Sequence, residues 1–83
     1  MDKILIHLSV PIIQQGFDMY IPVSLPMQEL TGLLARAVEN NTDGAYVPSG
    51  NEIVCIKEKN EILAQNLTVW ECNIQNGDHL VMI

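Results

Sequence analysis

LPMQELTGLLARAVENN, residues 25–41, is the one stretch of this 83-residue chain whose apolar residues recur at a convincing helical spacing. Met27, Leu30, Leu33, Leu34, Ala37 and Val38 are expected to share one face, with Gln28, Glu29, Arg36 and Glu39 on the other. Pro26 suits a first helical turn, where no N–H is needed, and it biases Leu25 towards an extended conformation. Asn40, Asn41, Asp43 and Gly44 then stop the helix. So apolar a face must be covered. Every other periodic segment alternates like a strand, so one helix laid across one sheet is the economical arrangement.

Working back from the helix, residues 3–10 alternate, with Ile4, Ile6, Leu8 and Val10 on one side and Leu5, His7 and Ser9 on the other. A turn over residues 11–16 leads to a second alternation, Phe17, Met19, Ile21 and Val23 against Asp18, Tyr20 and Pro22, and the two strands read as an antiparallel hairpin. Pro22 cannot donate to a ladder, which places the second strand at a sheet edge or turns it out of the sheet there. Working forward, residues 40–51 carry Asp43-Gly44, Pro48 and Ser49-Gly50 and form the longest loop, with Tyr46 and Val47 expected to anchor it.

Residues 53–56 make a third strand whose register follows from Lys57. If Ile53 and Cys55 faced the core, Lys57 would follow them and bury an unpaired ammonium; Val54 and Ile56 are therefore inward and Lys57 is in water. Residues 57–61 turn the chain, Ile62 and Leu63 allow a short fourth strand, and Leu67, Val69 and Ile74 are available to the core from the connection that follows. Asn76-Gly77-Asp78 is a strong turn signal before a last strand over residues 79–83.

Composition excludes several classes of function. The chain is 48% hydrophobic, too apolar for disorder, and its net charge of -6 with four scattered basic residues is wrong for reading nucleic-acid phosphates. No apolar run approaches the roughly 20 residues needed to cross a bilayer, so direct membrane insertion is not expected. His7, Ser9 and Pro11 interrupt the apolar N-terminus, which reads as a strand and not as a signal peptide, and the expected location is cytoplasmic. Cys55 and Cys72 form no CxxC pair and read as reduced residues; a redox sensor using both is a third-ranked reading.

The order strand, strand, helix, strand, short strand, strand is that of the ubiquitin-like β-grasp, an α+β fold in which one helix crosses a mixed sheet of four to five strands and the first and last strands lie side by side. CNIQNGDHLVMI, residues 72–83, resembles the closing segment of ubiquitin-like proteins, with Ile74, Leu80 and Met82 in the inward roles. Together with the LPMQEL helix start, the WECNI segment and the NGD turn, the whole chain is similar to the YukD/EsaB family of small cytoplasmic ubiquitin-like proteins associated with type VII (WXG-type, ESX-like) secretion systems of Gram-positive bacteria. The resemblance implies a single domain over residues 1–83 and an accessory or regulatory role. It also implies partners among membrane-anchored secretion subunits, such as the pseudokinase-like subunit or the ATPase. Conjugating and sulfur-carrying relatives of this fold need a protruding Gly-Gly tail, whereas this sequence ends Val81-Met82-Ile83. Conjugation is therefore not expected; the alternative is a modifier or sulfur carrier whose tail is absent from this chain.

No catalytic constellation or cofactor motif is present in the sequence. His7 and His79 fall on neighbouring strands, with Asp78 and Cys55 near in the fold, yet they lack paired metal-ligand spacing and read as strand histidines. What remains is surface. With the alternate residues inward, Leu5, His7, Ile53, Cys55, Val81 and Ile83 fall on the sheet face away from the helix, a face apolar enough to be a protein-docking surface. A homodimer contact and coverage by the 40–51 loop are the competing readings of the same face.

Overall fold

The helix, α1, spans Met27–Asn41 in the computed structural model of the chain, in which residues 2–58 and 61–83 are described. Its buried stripe is Met27, Leu30, Thr31, Leu34, Ala35 and Val38. Two expected members fall outside it: Leu33 is 50% exposed and Ala37 is only half-buried. Leu33 lies about 100° round the helix from Leu34, which leaves it on the solvent flank of a stripe centred on Leu34 and Val38. Thr31 can replace it inside because its hydroxyl donates to the Met27 carbonyl at 2.8 Å. Pro26 sits one position before the first turn, as the N-cap residue, and supplies no side-chain cap. The N–H groups of Met27 and Gln28 donate instead to the carbonyls of Leu67 and Gln65, at 2.8 and 3.0 Å, so the later connection closes the helix start.

β1 (Lys3–Val10) and β2 (Gln15–Pro22) form the expected antiparallel hairpin, with Ile4 opposite Ile21 and Val10 opposite Gln15. A 3₁₀ turn over Pro11–Ile13 and left-handed backbone at Gln14 reverse the chain in four residues. β2 therefore begins at Gln15, two residues before the expected Phe17. After the helix come β3 (Val54–Ile56), β4 (Glu61–Ile62) and β5 (His79–Met82), giving a five-stranded sheet ordered β2-β1-β5-β3-β4. β5 runs parallel to β1 and antiparallel to β3, so the sheet is mixed and the first and last strands are neighbours, as the order of elements predicts. The turn expected over residues 57–61 has its middle, residues 59 and 60, outside the described residues.

The backbone bonds place Pro22. His7 N–H donates to the Asp78 carbonyl and Gly77 N–H to the Leu5 carbonyl, so the odd-numbered residues of β1 aim their backbone groups at β5. The even-numbered ones bond β2, through Gln15, Phe17, Met19 and Ile21. It follows that Gly16, Asp18, Tyr20 and Pro22 face outward from the sheet edge, where a missing N–H leaves no ladder bond unmade.

The helix covers the sheet face built from Ile6, Leu8, Val10, Val54, Ile56, Leu80 and Met82, and Ile21, Val69 and Ile74 join the same core. The register chosen from Lys57 holds: Val54 and Ile56 are buried and Lys57 is exposed. Leu67 is half-buried, and Leu63, expected in the fourth strand, follows β4 and is buried. In the long loop Tyr46 enters the core, whereas Val47 is exposed and does not anchor the loop. The Tyr46 hydroxyl donates to Glu52 Oε2 at 2.8 Å, and the same carboxylate accepts from Ser49 N–H, Ser49 Oγ and Gly50 N–H.

Candidate docking surface

The pairing register lays out the face away from the helix in cross-strand rows. Tyr20 stands opposite Leu5, Asp18 opposite His7 and then His79, and Gly16 opposite Ser9, Val81 and Cys55. A last row is made by Ile53 and Ile83, whose backbones exchange both hydrogen bonds, at 2.9 and 2.8 Å. Leu5, His7, Ile53, Cys55, Val81 and Ile83 do share one face. They do not form one apolar patch. Leu5, His7, Cys55 and Val81 are half-buried, Ile53 is exposed, and Ile83 is 72% exposed. The two histidines cross the middle and separate Leu5 and Tyr20 at one end from Val81, Cys55, Ile53 and Ile83 at the other.

That central band is ionisable and tightly arranged. The His7 and His79 rings meet edge to face with centroids 4.9 Å apart. His7 Nδ1 lies 2.8 Å from Asp18 Oδ1, and His79 Nδ1 lies 3.4 Å from Glu58 Oε1. Among the described residues no group of three or more His, Cys, Asp or Glu side chains is placed to hold a metal ion. The His7 ring rests on Gly16: a Cβ at that position would stand 2.6 Å from His7 Nε2. Gly16→Ala is therefore expected to push the imidazole off Asp18 while changing stability by no more than about 1 kcal/mol, since an exposed side-chain pair contributes little. Imidazole nitrogen shifts read by NMR check this; an unchanged His7–Asp18 hydrogen bond in a folded variant would refute it.

The apolar end of the face is larger than the sequence list implied. Ile12, in the turn after β1, is 83% exposed and lines a groove with Pro11, Val47 and Ile83, floored by Met82 and Tyr46. Sequence reasoning missed Ile12 because the turn was assigned no orientation. Tyr20, 70% exposed, was missed because its place opposite Leu5 needs the hairpin register; two strands written side by side would have found it. Trp70, 75% exposed, forms one wall of a separate open groove with Ile4, Val23, Ile74 and Asn76. It entered the sequence reading only as part of WECNI. The two cysteines are free, half-buried thiols, and burial, with Glu71 beside it, pushes the Cys72 thiol up from its ordinary value.

The model of a family described as "WXG100 protein secretion system (Wss), protein YukD" matches residues 5–82. The chain belongs to the YukD family. It is thus a ubiquitin-like protein of the WXG100, or type VII, secretion system. No curated protein matches it. Among solved structures this YukD-family chain is similar to the EccD5 ubiquitin-like domain from Mycobacterium xenopi, with a TM-score of 0.81 and 13% identity over 100% of this chain and 94% of that one. A chain of the MycP5-free ESX-5 inner membrane complex gives a TM-score of 0.81 at 12% identity, covering 100% of this chain and 21% of the other. Caldiarchaeum subterraneum ubiquitin gives 0.76 at 11% identity, covering 99% and 92%. At these identities the likeness is one of fold, and it places the YukD chain among ubiquitin-like β-grasp proteins. No helix of the described residues is long and apolar enough to cross a membrane.

Proposed function

We propose that the chain is a non-conjugated accessory or regulatory component of a type VII secretion system that acts in the cytoplasm by non-covalent docking, without catalysis of its own. Its partner is a cytoplasmic domain of a membrane-anchored subunit, the pseudokinase-like subunit or the ATPase. The observation that carries this reading is the apolar end of the bare sheet face, where Ile53, Ile83 and Ile12 are all exposed beside half-buried Val81 and Cys55. Contiguous exposed apolar surface on a chain this small is what a protein contact uses. Tyr46 enters the core and Val47 borders the groove beside Ile12 and Ile83, so the 40–51 loop flanks this apolar end and leaves Ile12, Ile53 and Ile83 exposed. The His7–Asp18 and His79–Glu58 pairs form a polar rim that sets orientation more than affinity. The fold's recurrence in an inner membrane complex supports the choice of partner.

A tagged chain purified from its host under native and fully denaturing conditions, with mass spectrometry of both, tests the reading. Secretion subunits are expected only in the native sample. Ile53→Asp and Ile83→Asp are expected to weaken that association at least tenfold with the thermal melt unchanged. Undiminished association in folded variants would remove this surface, and adducts surviving denaturation would replace docking with conjugation.

A further inference from the structure

We propose that the outer edge of β2 accepts an extended segment of another protein as an added strand, with a basic side chain of that segment set against Asp18. The inference goes beyond the sheet-face docking described above and does not depend on it. β2 is the long free edge of this sheet: it has eight residues, against two in β4 at the opposite edge. Gly16, Asp18 and Tyr20 aim their N–H and C=O groups outward, and among the described residues nothing bonds to them. Such a row of unmade bonds is the template on which strand addition works. Its limits are marked at both ends, by left-handed backbone at Gln14 and by the missing N–H of Pro22.

Side chains on both sides of the edge give the incoming strand something to cover. Half-buried Phe17 and Met19 lie on the helix side, and exposed Tyr20 lies on the other. Asp18 is the one charged residue of the strand; a single oxygen meets His7, and the carboxylate remains largely exposed. An incoming segment that alternates apolar residues with a central Lys or Arg therefore matches the edge in both period and charge. A second copy of this chain matches it badly. Antiparallel self-pairing centred on Asp18 puts two carboxylates opposite each other, and the adjacent registers run into Pro22 or into Gln14. The chain's net charge of -6 adds a general repulsion between copies.

The probe is an acetylated and amidated nine-residue peptide, Ser-Val-Thr-Val-Lys-Val-Thr-Val-Ser, titrated into the full chain beside the same peptide with Glu at its centre. The expected result is slowed hydrogen exchange at the amides of Gly16, Asp18 and Tyr20, with the Lys peptide bound at least tenfold more tightly. Tyr20→Pro deletes an outward N–H without touching a β1–β2 ladder bond and is expected to weaken binding at least tenfold, while Ile83→Asp leaves it unchanged. Asp18→Lys is expected to reverse the preference towards the Glu peptide, and it decides the matter should Tyr20→Pro fail to fold. Absent protection at the three amides, equal affinity for the two peptides, or the same protection in the free chain at high concentration, which would mean self-pairing, each overturns the proposal. Loss of secretion partners in Ile83→Asp with edge protection retained separates this site from the sheet face.

Discussion

Leu8→Ala is expected to destabilise the chain by about 3–4 kcal/mol, the middle of the range for deleting a buried leucine. Leu8 is 0% exposed, and it stands mid-strand in β1 between Phe17 of β2 and Leu80 of β5. Its neighbours are held by backbone ladders on both sides and cannot collapse into the space it leaves, which is the condition for a large cavity cost. An 83-residue domain at ordinary stability per residue has roughly 4–12 kcal/mol in all, so the variant loses a large share of it. Urea unfolding should show a midpoint lowered by at least about 1 M with little change in slope. Ile12→Ala, at an exposed position, is expected to stay within about 0.5 kcal/mol. A Leu8→Ala loss below 1 kcal/mol would contradict the packing described for β1.

Glu52→Ala is expected to cost about 1–2 kcal/mol at neutral pH, chiefly because the part-buried Tyr46 hydroxyl and the loop N–H groups lose their shared acceptor. The charge state of this cluster gives a pH signature. Burial alone would raise the Glu52 carboxyl, but hydrogen bonds from Ser49 and Tyr46 outweigh it and hold the group below its ordinary value of 4.5. A depressed acid stabilises the fold above the unfolded value, and that contribution is lost as pH falls from about 4.5 through the folded value. Tyr46 is pushed from 10.0 up to about 12 by burial, then by its bond to Glu52 and the carboxylate's charge. Its contribution is present below pH 10 and lost as pH rises from 10 to about 12. Glu52→Gln keeps an acceptor for Tyr46, so it should retain more stability at pH 7 than Glu52→Ala while flattening the acid limb. Denaturant melts from pH 3 to pH 11 check both limbs; an acid limb in Glu52→Gln as steep as in the parent would reassign it to another group.

The parts of the fold legible in the sequence were those with strong local signals. Alternation over residues 3–10 gave β1 its full length, Pro22 marked an edge, and the single charge of Lys57 settled which way Val54 and Ile56 point. Leu33 misled because a heptad-like list gathers leucines, whereas burial follows the geometric stripe, which here admits a threonine able to satisfy its own hydroxyl. The docking face was legible as a list of residues but not as a pattern. Whether His7 abuts His79, or Tyr20 abuts Leu5, depends on registers between strands up to 72 positions apart, as the His7–His79 pair shows, and no local rule reports those. The outward-facing amides of β2 were hidden for the same reason, since they are fixed only once β1 is known to spend its odd-numbered backbone groups on β5.

The central position of β5 also sets how the chain must assemble. With His79–Met82 taken away, the sheet falls into two hairpins, β1 with β2 and β3 with β4, that share no ladder. Each is local and quick to form, and neither is stable alone. The strand that joins them is the last of the five to be synthesised, and its His79 must find His7 of β1, 72 positions earlier. Folding therefore waits on one long-range closure, a topology that belongs to slow rather than microsecond folding. Until that closure, a nascent chain presents both hairpins to the cell as open-edged intermediates.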